Sequence, residues 1–351
     1  MKILHIITRS SLGGAQSVVV NLANSQIDDN EVFVLSSAEG TAWQALDKRV
    51  KVIAIPELKR EISMLDIIVL FKLIFYRFKY SPDVVHLHSS KIGILGRIAF
   101  SPFKTIYTIH GFDSIRLANR KFLFLEKILQ YWCRYIVGVS KYDFDNLTTE
   151  KITKNVSFIY NGVKDYSNVT SPQKQLVDFI IEKRKIFKKI VMCIARDDAQ
   201  KHPTLFVEIA QKNSDCFFVW IGNSSEHQNT NNLYWAGTVP EAYLLLKYTD
   251  LFCLPSNYEG LPMCILEALS FGKPVIASAV GGIPEVLDGS SGFAVQNTET
   301  DFSTAIKKFS ENPEFCQQAA INARKFYETG FSDTVMAAQY MKLYKKIIDK
   351  E

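Results

Sequence analysis

Short runs rich in valine, isoleucine and phenylalanine alternate along this chain with longer stretches that can form helices, and that alternation limits the fold more than any other feature. "KILHII", "EVFVLSS", "VKVIAI", "DVVHLH", "KTIYTIH" and "YIVGVS" read as strands of βα units around a parallel sheet. A polar break, "KDYSNVTSPQKQ" at 164–175, interrupts the pattern. It then restarts with "KIVMCIA", "CFFVWIG", "LYWAG", "DLFCLP", "PVIAS" and "GFAV". The restart predicts an α/β fold of two doubly wound, Rossmann-like domains, 1–163 and 164–331. A terminal helix over 332–351, capped by Ser332 or Asp333, is expected to pack back toward the first domain. Parallel-sheet domains bind ligands outside the carboxyl ends of their strands, so two of them facing each other would form a cleft.

Length agrees with two domains: 351 residues, 47% hydrophobic and 22% charged, exceed one ordinary core and are too apolar for disorder. A net charge of +5 is too mild to argue for nucleic acid as a partner. Cys133, Cys193, Cys216, Cys253, Cys264 and Cys316 sit mostly inside apolar runs without metal-like spacing, which suits reduced thiols in the cytoplasm. The opening "MKILHIIT" is short, β-branched and followed by a Gly-Gly turn, so it reads as a first strand and not as a signal peptide. No uninterrupted apolar run reaches spanning length; the nearest, "ISMLDIIVLFKLIFY", is broken by Asp66 and Lys72. A soluble or peripheral protein is expected.

The stretch "SNYEGLPMCILEALSFGKPV" at 256–275 places two glutamates eight positions apart around a proline. "DLFCLPS" is a strand, "NYEG" a turn, Pro262 suits the first helical position and Gly272 the C-cap. Glu259 then lies at the carboxyl end of a buried strand. Glu267 lies about five residues into the helix, roughly 7.5 Å along its axis. The N–H groups of Gly260, Leu261 and Met263, between the two acids, favour an anion. A ligand with a diphosphate in the middle and hydroxyl-rich groups at both ends matches this arrangement, because a carboxylate accepts hydrogen bonds from a vicinal diol. A glutamate pair alone is by default a solvated loop residue and a surface helix position. The strand and Gly-Gly turn of "LSFGKPVIASAVGGIPEV" directly after the helix favour the functional reading.

Other candidates stand at similar strand ends. Arg196 and Lys201 follow "KIVMCIA", where Arg offers a fork and Lys a point charge to phosphate oxygens. Gly13 and Gly14 let backbone amides approach a phosphate closely, or form a mere turn. His110 ends "KTIYTIH", where it would orient a sugar or serve as a satisfied structural histidine. His86 and His88 alternate on one strand face, but no third metal ligand is evident. Asp143 and Asp145 read as the start of a helix and not as metal ligands.

At these residues a family resemblance emerges. Glu259-x7-Glu267, followed by "ALSFGKPVIASAVGGIPEVL", is similar to the signature of the family 4 retaining glycosyltransferases, whose two-domain fold is called GT-B. "ARDDAQKHP" resembles the family's Arg-x4-Lys element, "SLGGAQS" its amino-terminal Gly-Gly loop, "TIHGF" its central histidine and "YNGVKD" its Asn-Gly-Val hinge segment. The resemblance covers nearly the whole chain. It departs from the pattern at Gln16, where the family often has Glu, and at Ala195, where it often has Gly.

The resemblance implies transfer of a hexose or N-acetylhexosamine from a nucleotide sugar, UDP-linked, with retention and with no metal or other cofactor. Arg196, Lys201 and the amides near Gly14 and Gly260 would stabilise the departing diphosphate. Glu259 would hold the transferred sugar, His110 would assist, and Glu267 would bind the ribose diol. Gly237, Val239 and Pro240 would lie near a uracil, and Gly13, Gly222, Leu261 and Pro262 complete the donor-binding set.

The acceptor side is vaguer. "LKREISMLDIIVLFKLIFYRFKY" mixes Lys59, Arg60, Lys72, Arg77 and Lys79 with Phe71, Phe75, Tyr76, Phe78 and Tyr80. That mix suits either the surface of an anionic bilayer or a core-facing helix with a solvated basic side. "HLHSSKIGILGRIAF" adds Lys91 and Arg97, and resembles a stretch of family members that build capsule or O-antigen chains. The expected acceptor is a saccharide on an isoprenoid diphosphate at the inner face of a bacterial cytoplasmic membrane. A nicotinamide-dependent oxidoreductase is disfavoured because "SLGGAQS" lacks the Gly-x-Gly-x-x-Gly spacing. A nucleotide-sugar epimerase of the same architecture is the alternative function.

Overall fold

The computed structural model describes residues 1–223 and 227–349. The chain divides into two units, Met1–Gly162 with Asp333–Glu351, and Val163–Ser332. In the first unit run β1 (Lys2–Ile7), α1 (Gly14–Gln26), β2 (Glu31–Ser36), β3 (Lys51–Ala54), α2 (Leu65–Tyr80), β4 (Val84–His88), α3 (Ser90–Ala99), β5 (Thr105–Ile109), α4 (Asp113–Arg116), α5 (Leu123–Leu129), β6 (Tyr135–Gly138), α6 (Lys141–Thr149) and β7 (Val156–Phe158). The second holds α7 (Lys174–Arg184), β8 (Lys189–Ile194), α8 (Pro203–Lys212), β9 (Cys216–Ile221), β10 (Leu233–Trp235), β11 (Leu251–Leu254), α9 (Met263–Ser270), β12 (Val275–Ser278), β13 (Gly292–Val295), α10 (Glu299–Ser310) and α11 (Pro313–Gly330). The last helix, α12 (Asp333–Ile348), belongs to the first unit and packs on α1.

Both sheets are parallel throughout. The first has the order β3-β2-β1-β4-β5-β6-β7 and the second β10-β9-β8-β11-β12-β13. Strand order therefore reverses between β1 and β4, and again between β8 and β11; at such points an open α/β sheet leaves a crevice at the carboxyl ends. Every run read as a strand forms one. β7 comes from the segment around "NVSFIYNG", where three residues are too few to show a period of two.

Side-chain alternation divides the core of the first unit into two layers. Leu4, Ile6, Leu35, Val85, Leu87, Tyr107 and Ile109 pack with Val69 and Leu73 of α2 and Ile92 of α3. Ile7, Val32 and Val34 pack with Val19 and Ala23 of α1 on the other face.

Local chemistry sets the helix ends that matter for the site. Pro262 is the N-cap of α9 and not its first helical residue: its ψ of 129° is extended, so the helix starts at Met263. The other end closes as a Schellman motif, in which Lys273 N–H donates to Ala268 C=O and Gly272 N–H to Leu269 C=O, both at 2.9 Å, with Gly272 at φ +63°. Ser140 caps α6 by accepting from Asp143 N–H at 3.1 Å. Asp143 is buried and accepts from Phe112 N–H at 2.8 Å, so this aspartate braces a loop.

Two cations of the acceptor-side stretch are not surface charges. Arg97 is fully buried in an ion pair with Glu126 of α5 at 2.7 Å. Lys91 is held by Asp66 at 2.5 Å and by the carbonyls of Lys59 and Glu61. The six cysteines are free, four of them buried. Among the described residues no helix is long and apolar enough to cross a membrane.

Candidate active site

In the second unit, Arg196 and Lys201 follow β8 while Glu259 and Gly260 follow β11, so both loops stand where the strand order reverses. Hydrogen bonds join them: Asn257 N–H donates to Gln200 C=O at 2.8 Å, Asn257 Nδ2 to Ala199 C=O at 2.7 Å, and Gln200 Nε2 to Tyr258 C=O at 3.0 Å. The same loops bring Lys201 Nζ onto Glu259 Oε1, and Glu259 is only 7% exposed. Burial pulls the Lys201 pKa down, but the charge of Glu259 outweighs it and holds the ammonium above its ordinary value. The second oxygen of Glu259 has no hydrogen-bond partner among the described residues. Arg196 is exposed and engaged by its own loop, with Nη1 3.0 Å from Asp198 Oδ2 and Nη2 donating to Gln200 Oε1 at 3.1 Å.

The Gly-Gly turn after β12 closes over this loop. Gly282 N–H donates to Gly260 C=O at 2.7 Å. Gly281 has φ +59°, and a Cβ there would come within 2.1 Å of the Glu259 carbonyl oxygen. Only glycine satisfies both the backbone angle and the approach.

Glu267 is the fifth residue of α9 and is half-buried. Its carboxylate has no hydrogen-bond partner among the described residues, and desolvation pushes it up to about 7. An acid so placed lacks a donor, and a ligand diol would provide two. Leu261 and Pro262 are buried at the mouth of α9.

Along the other edge, Gly222 N–H donates to Gly237 C=O at 2.9 Å, and a Cβ on Gly222 would meet the Ala195 carbonyl oxygen at 1.8 Å. Gly237 sits at φ +68°, and Val239 is half-buried. His227 stacks on Trp235, with ring centroids 4.1 Å apart at 18°, and lies 3.1 Å from Asp197. Sequence reasoning misses this cluster, because His227 stands in a polar loop with no spacing to tie it to Trp235.

In the first unit, Gly13 is the N-cap of α1 and Gly14 its first residue. Gln16 Nε2 donates to Arg9 C=O at 3.0 Å, a bond that a glutamate in this position could not make. His110 follows β5, with Nε2 3.1 Å from His88 Nδ1. His88 Nε2 lies 3.2 Å from His5 Nδ1, and His5 Nε2 lies 2.8 Å from Gln26 Oε1. His86 reaches Tyr344 OH at 2.6 Å and Thr108 Oγ1 at 2.7 Å.

His5 is thus the third histidine beside His86 and His88, and one ring nitrogen from each of the three, of the six they carry, lies within 4.8 Å of the others. All six of those nitrogens already have hydrogen-bond partners, which makes the group a filled network. Burial lowers His5 and His110 to about 4, and His86 and His88 well below the ordinary histidine value. All four rings are neutral at pH 7.

Residues 12–165 match Glycosyltransferase Family 4, and residues 178–326 match Glycosyl transferases group 1. The chain is 28% identical over 355 residues to the O-antigen biosynthesis glycosyltransferase WbnH of Escherichia coli, covering 98% of each. It is 31% identical over 321 residues to the UDP-Gal:alpha-D-GlcNAc-diphosphoundecaprenol alpha-1,3-galactosyltransferase of Escherichia coli, covering 80% of each. Its fold is similar to that of Anabaena HepE in complex with UDP and glucose, with a TM-score of 0.84 at 18% identity over 98% of this chain and 99% of that one. With two parallel α/β sheets, each reversing its strand order once, and with both halves matched in sequence, the chain belongs to the family 4 glycosyltransferases and has the GT-B fold.

Proposed function

We propose that this glycosyltransferase moves a hexose or N-acetylhexosamine from a UDP-sugar to a lipid-linked saccharide in bacterial O-antigen or capsule synthesis, retaining the donor's anomeric configuration and requiring no metal. The observation that carries the reading is the Lys201–Glu259 pair at the turning point of the second sheet, with the unpartnered carboxylate of Glu267 in the adjoining helix.

Departure of UDP builds negative charge on the β-phosphate and positive charge on the sugar. Lys201, Arg196 turned from Asp198, and the first-turn amides of α9 stabilise the former, supplying the charge that a divalent ion would otherwise bring. The free oxygen of Glu259 accepts from the sugar's hydroxyls and aims its anomeric carbon, which is positioning more than acid–base work. Glu267 accepts from the ribose diol. Gly222, Gly237, Val239, Leu261 and Pro262 shape the nucleotide's bed. In the first unit, Gly13 and Gly14 offer backbone amides to phosphate, and His110 offers a ring nitrogen to the sugar. The UDP of the HepE complex and the diphosphoundecaprenol of the galactosyltransferase's name support the donor and acceptor classes.

The exposed face of α2 supports contact with an anionic membrane, at the inner face of the cytoplasmic membrane in this reading. Ile67, Ile68, Phe71, Phe75 and Phe78 point outward, with Phe78 72% exposed; Arg77 and Lys79 are exposed on the same helix, and Lys59 and Arg60 in the segment before it. On α5 and just beyond it, Phe124, Ile128, Tyr131 and Trp132 are also exposed, a feature the α2-centred sequence reading lacks.

The test is to incubate the protein with UDP-galactose, UDP-glucose and their N-acetylamino counterparts, each with and without an isoprenoid diphosphate N-acetylhexosamine, in the presence of EDTA. UDP release that requires the acceptor, giving an α-linked product, is expected. Interconversion of the sugars without an acceptor would overturn the proposal in favour of an epimerase.

A further inference from the structure

The buried polar network of the first unit has a direction. In-register pairing sets His5 beside His86 and Thr108 beside His88, so alternation places these side chains on one face of the sheet, under α1 and α12. Gln26 Oε1 faces His5 Nε2 at 2.8 Å, and a carbonyl oxygen can only accept, so that nitrogen carries the proton. A neutral ring has one N–H, which leaves His5 Nδ1 as an acceptor. The bond across the 3.2 Å to His88 Nε2 must then be donated by His88. By the same step His88 Nδ1 accepts from His110 Nε2 at 3.1 Å. One amide orientation fixes three tautomers in succession.

The chain ends at a functional edge. His110 is partly exposed where β5 stops, and its Nδ1 has no hydrogen-bond partner among the described residues. His5 and His88 are fully buried, and burial keeps each ring neutral, so no competing charge state blurs the order. The second branch, Tyr344 OH–His86–Thr108–Tyr340 OH, packs the same rings in place with contacts of 2.6, 2.7 and 3.0 Å.

We propose that Gln26, His5 and His88 are positioning residues that lock His110 in the tautomer protonated at Nε2, leaving Nδ1 as a pure acceptor for a hydroxyl of the bound sugar. The substrate contact rests on the reading of His110 under Proposed function; the tautomer does not. A site of this kind favours sugars with a free hydroxyl facing His110 and discriminates against the deoxy analogue.

NMR of the full chain with 15N-labelled histidine, recorded at pH 7.5 with UDP present, reads each ring's tautomer from its nitrogen shifts and couplings. Protonated Nε2 and bare Nδ1 are expected at His5, His88 and His110. Gln26→Met removes the acceptor while keeping length; it should release His110 to a mixture of tautomers and lower kcat about tenfold at unchanged donor KM. His110 protonated at Nδ1 in the wild type overturns the inference. So does stoichiometric zinc in the purified protein, since metal ligation and these hydrogen bonds compete for the same lone pairs. A His110→Phe variant with undiminished kcat/KM overturns the sugar contact. The wild-type spectrum decides the tautomer even where a variant does not fold, and it needs no turnover, so failure of the relay and failure of the transferase reading are separate results.

Discussion

Glu259 and Glu267 are the same residue type eight positions apart, yet their surroundings give them opposite assignments. Glu259 is paired with Lys201, while Glu267 is desolvated and unpartnered, its carboxyl raised to about 7. Glu267→Ala should weaken UDP binding by roughly 10- to 100-fold, the range of one or two charge-assisted hydrogen bonds, as read by calorimetry. Glu259→Gln should instead lower kcat strongly while UDP affinity stays within about threefold. Comparable losses of affinity in both would remove the division of labour. A raised carboxyl also opposes folding once ionised: the folded state binds the extra proton between about pH 4.5 and 7 and pays the desolvation penalty above that. Glu267→Gln should accordingly raise the melting temperature at pH 8 and leave it nearly unchanged at pH 4.5. The sequence motif singles out both acids, Arg196 and Lys201. That Lys201 lies on Glu259 is not legible there, since 58 residues separate them and only the adjacency of β8 and β11 brings them together.

At the scale of elements, two contacts make claims about how segments are held. Gly281→Ala puts a methyl group against the Glu259 carbonyl at a positive φ, so a loss of about 1–3 kcal/mol in urea unfolding is expected, together with weakened donor binding. Arg97 and Glu126 tie α3 to α5 inside the core. Removing either alone should destabilise by about 3–5 kcal/mol, whereas Arg97→Met with Glu126→Leu should recover most of the loss; a double-mutant cycle checks this. On α2, replacing Phe71, Phe75 and Phe78 by serine should abolish flotation with anionic vesicles while leaving the melting temperature within a few degrees, because these rings are exposed. The composition of that segment allowed a core-facing helix as readily. Which face turned outward was decided by Val69 and Leu73, the residues that dock on the sheet.

For the whole molecule, two units with separate cores predict two calorimetric transitions, of which UDP at saturating concentration should shift the one belonging to Val163–Ser332. The buried histidines set a pH dependence for the other. Folded-state values of about 4 at His5 and His110, and well below 6.5 at His86 and His88, mean that the unfolded chain binds more protons. The contribution of these histidines is therefore complete above about pH 6.5 and is lost progressively toward pH 4, opposed by Asp143 and Glu126, whose carboxyls burial raises; His5→Asn should flatten the acid side of the first unit's melting profile. The sequence alone determined the repeated βα pattern, the restart near residue 164 and the family, because short apolar runs and the Glu-x7-Glu segment are local signals. Only the tertiary structure decided that Arg97 is a core residue, that His5 joins His86 and His88, and that Gln26 faces His5 at the head of the chain leading to His110. These depend on strand register and helix docking, which bring together residues tens to hundreds of positions apart and leave no trace in any local window of the chain.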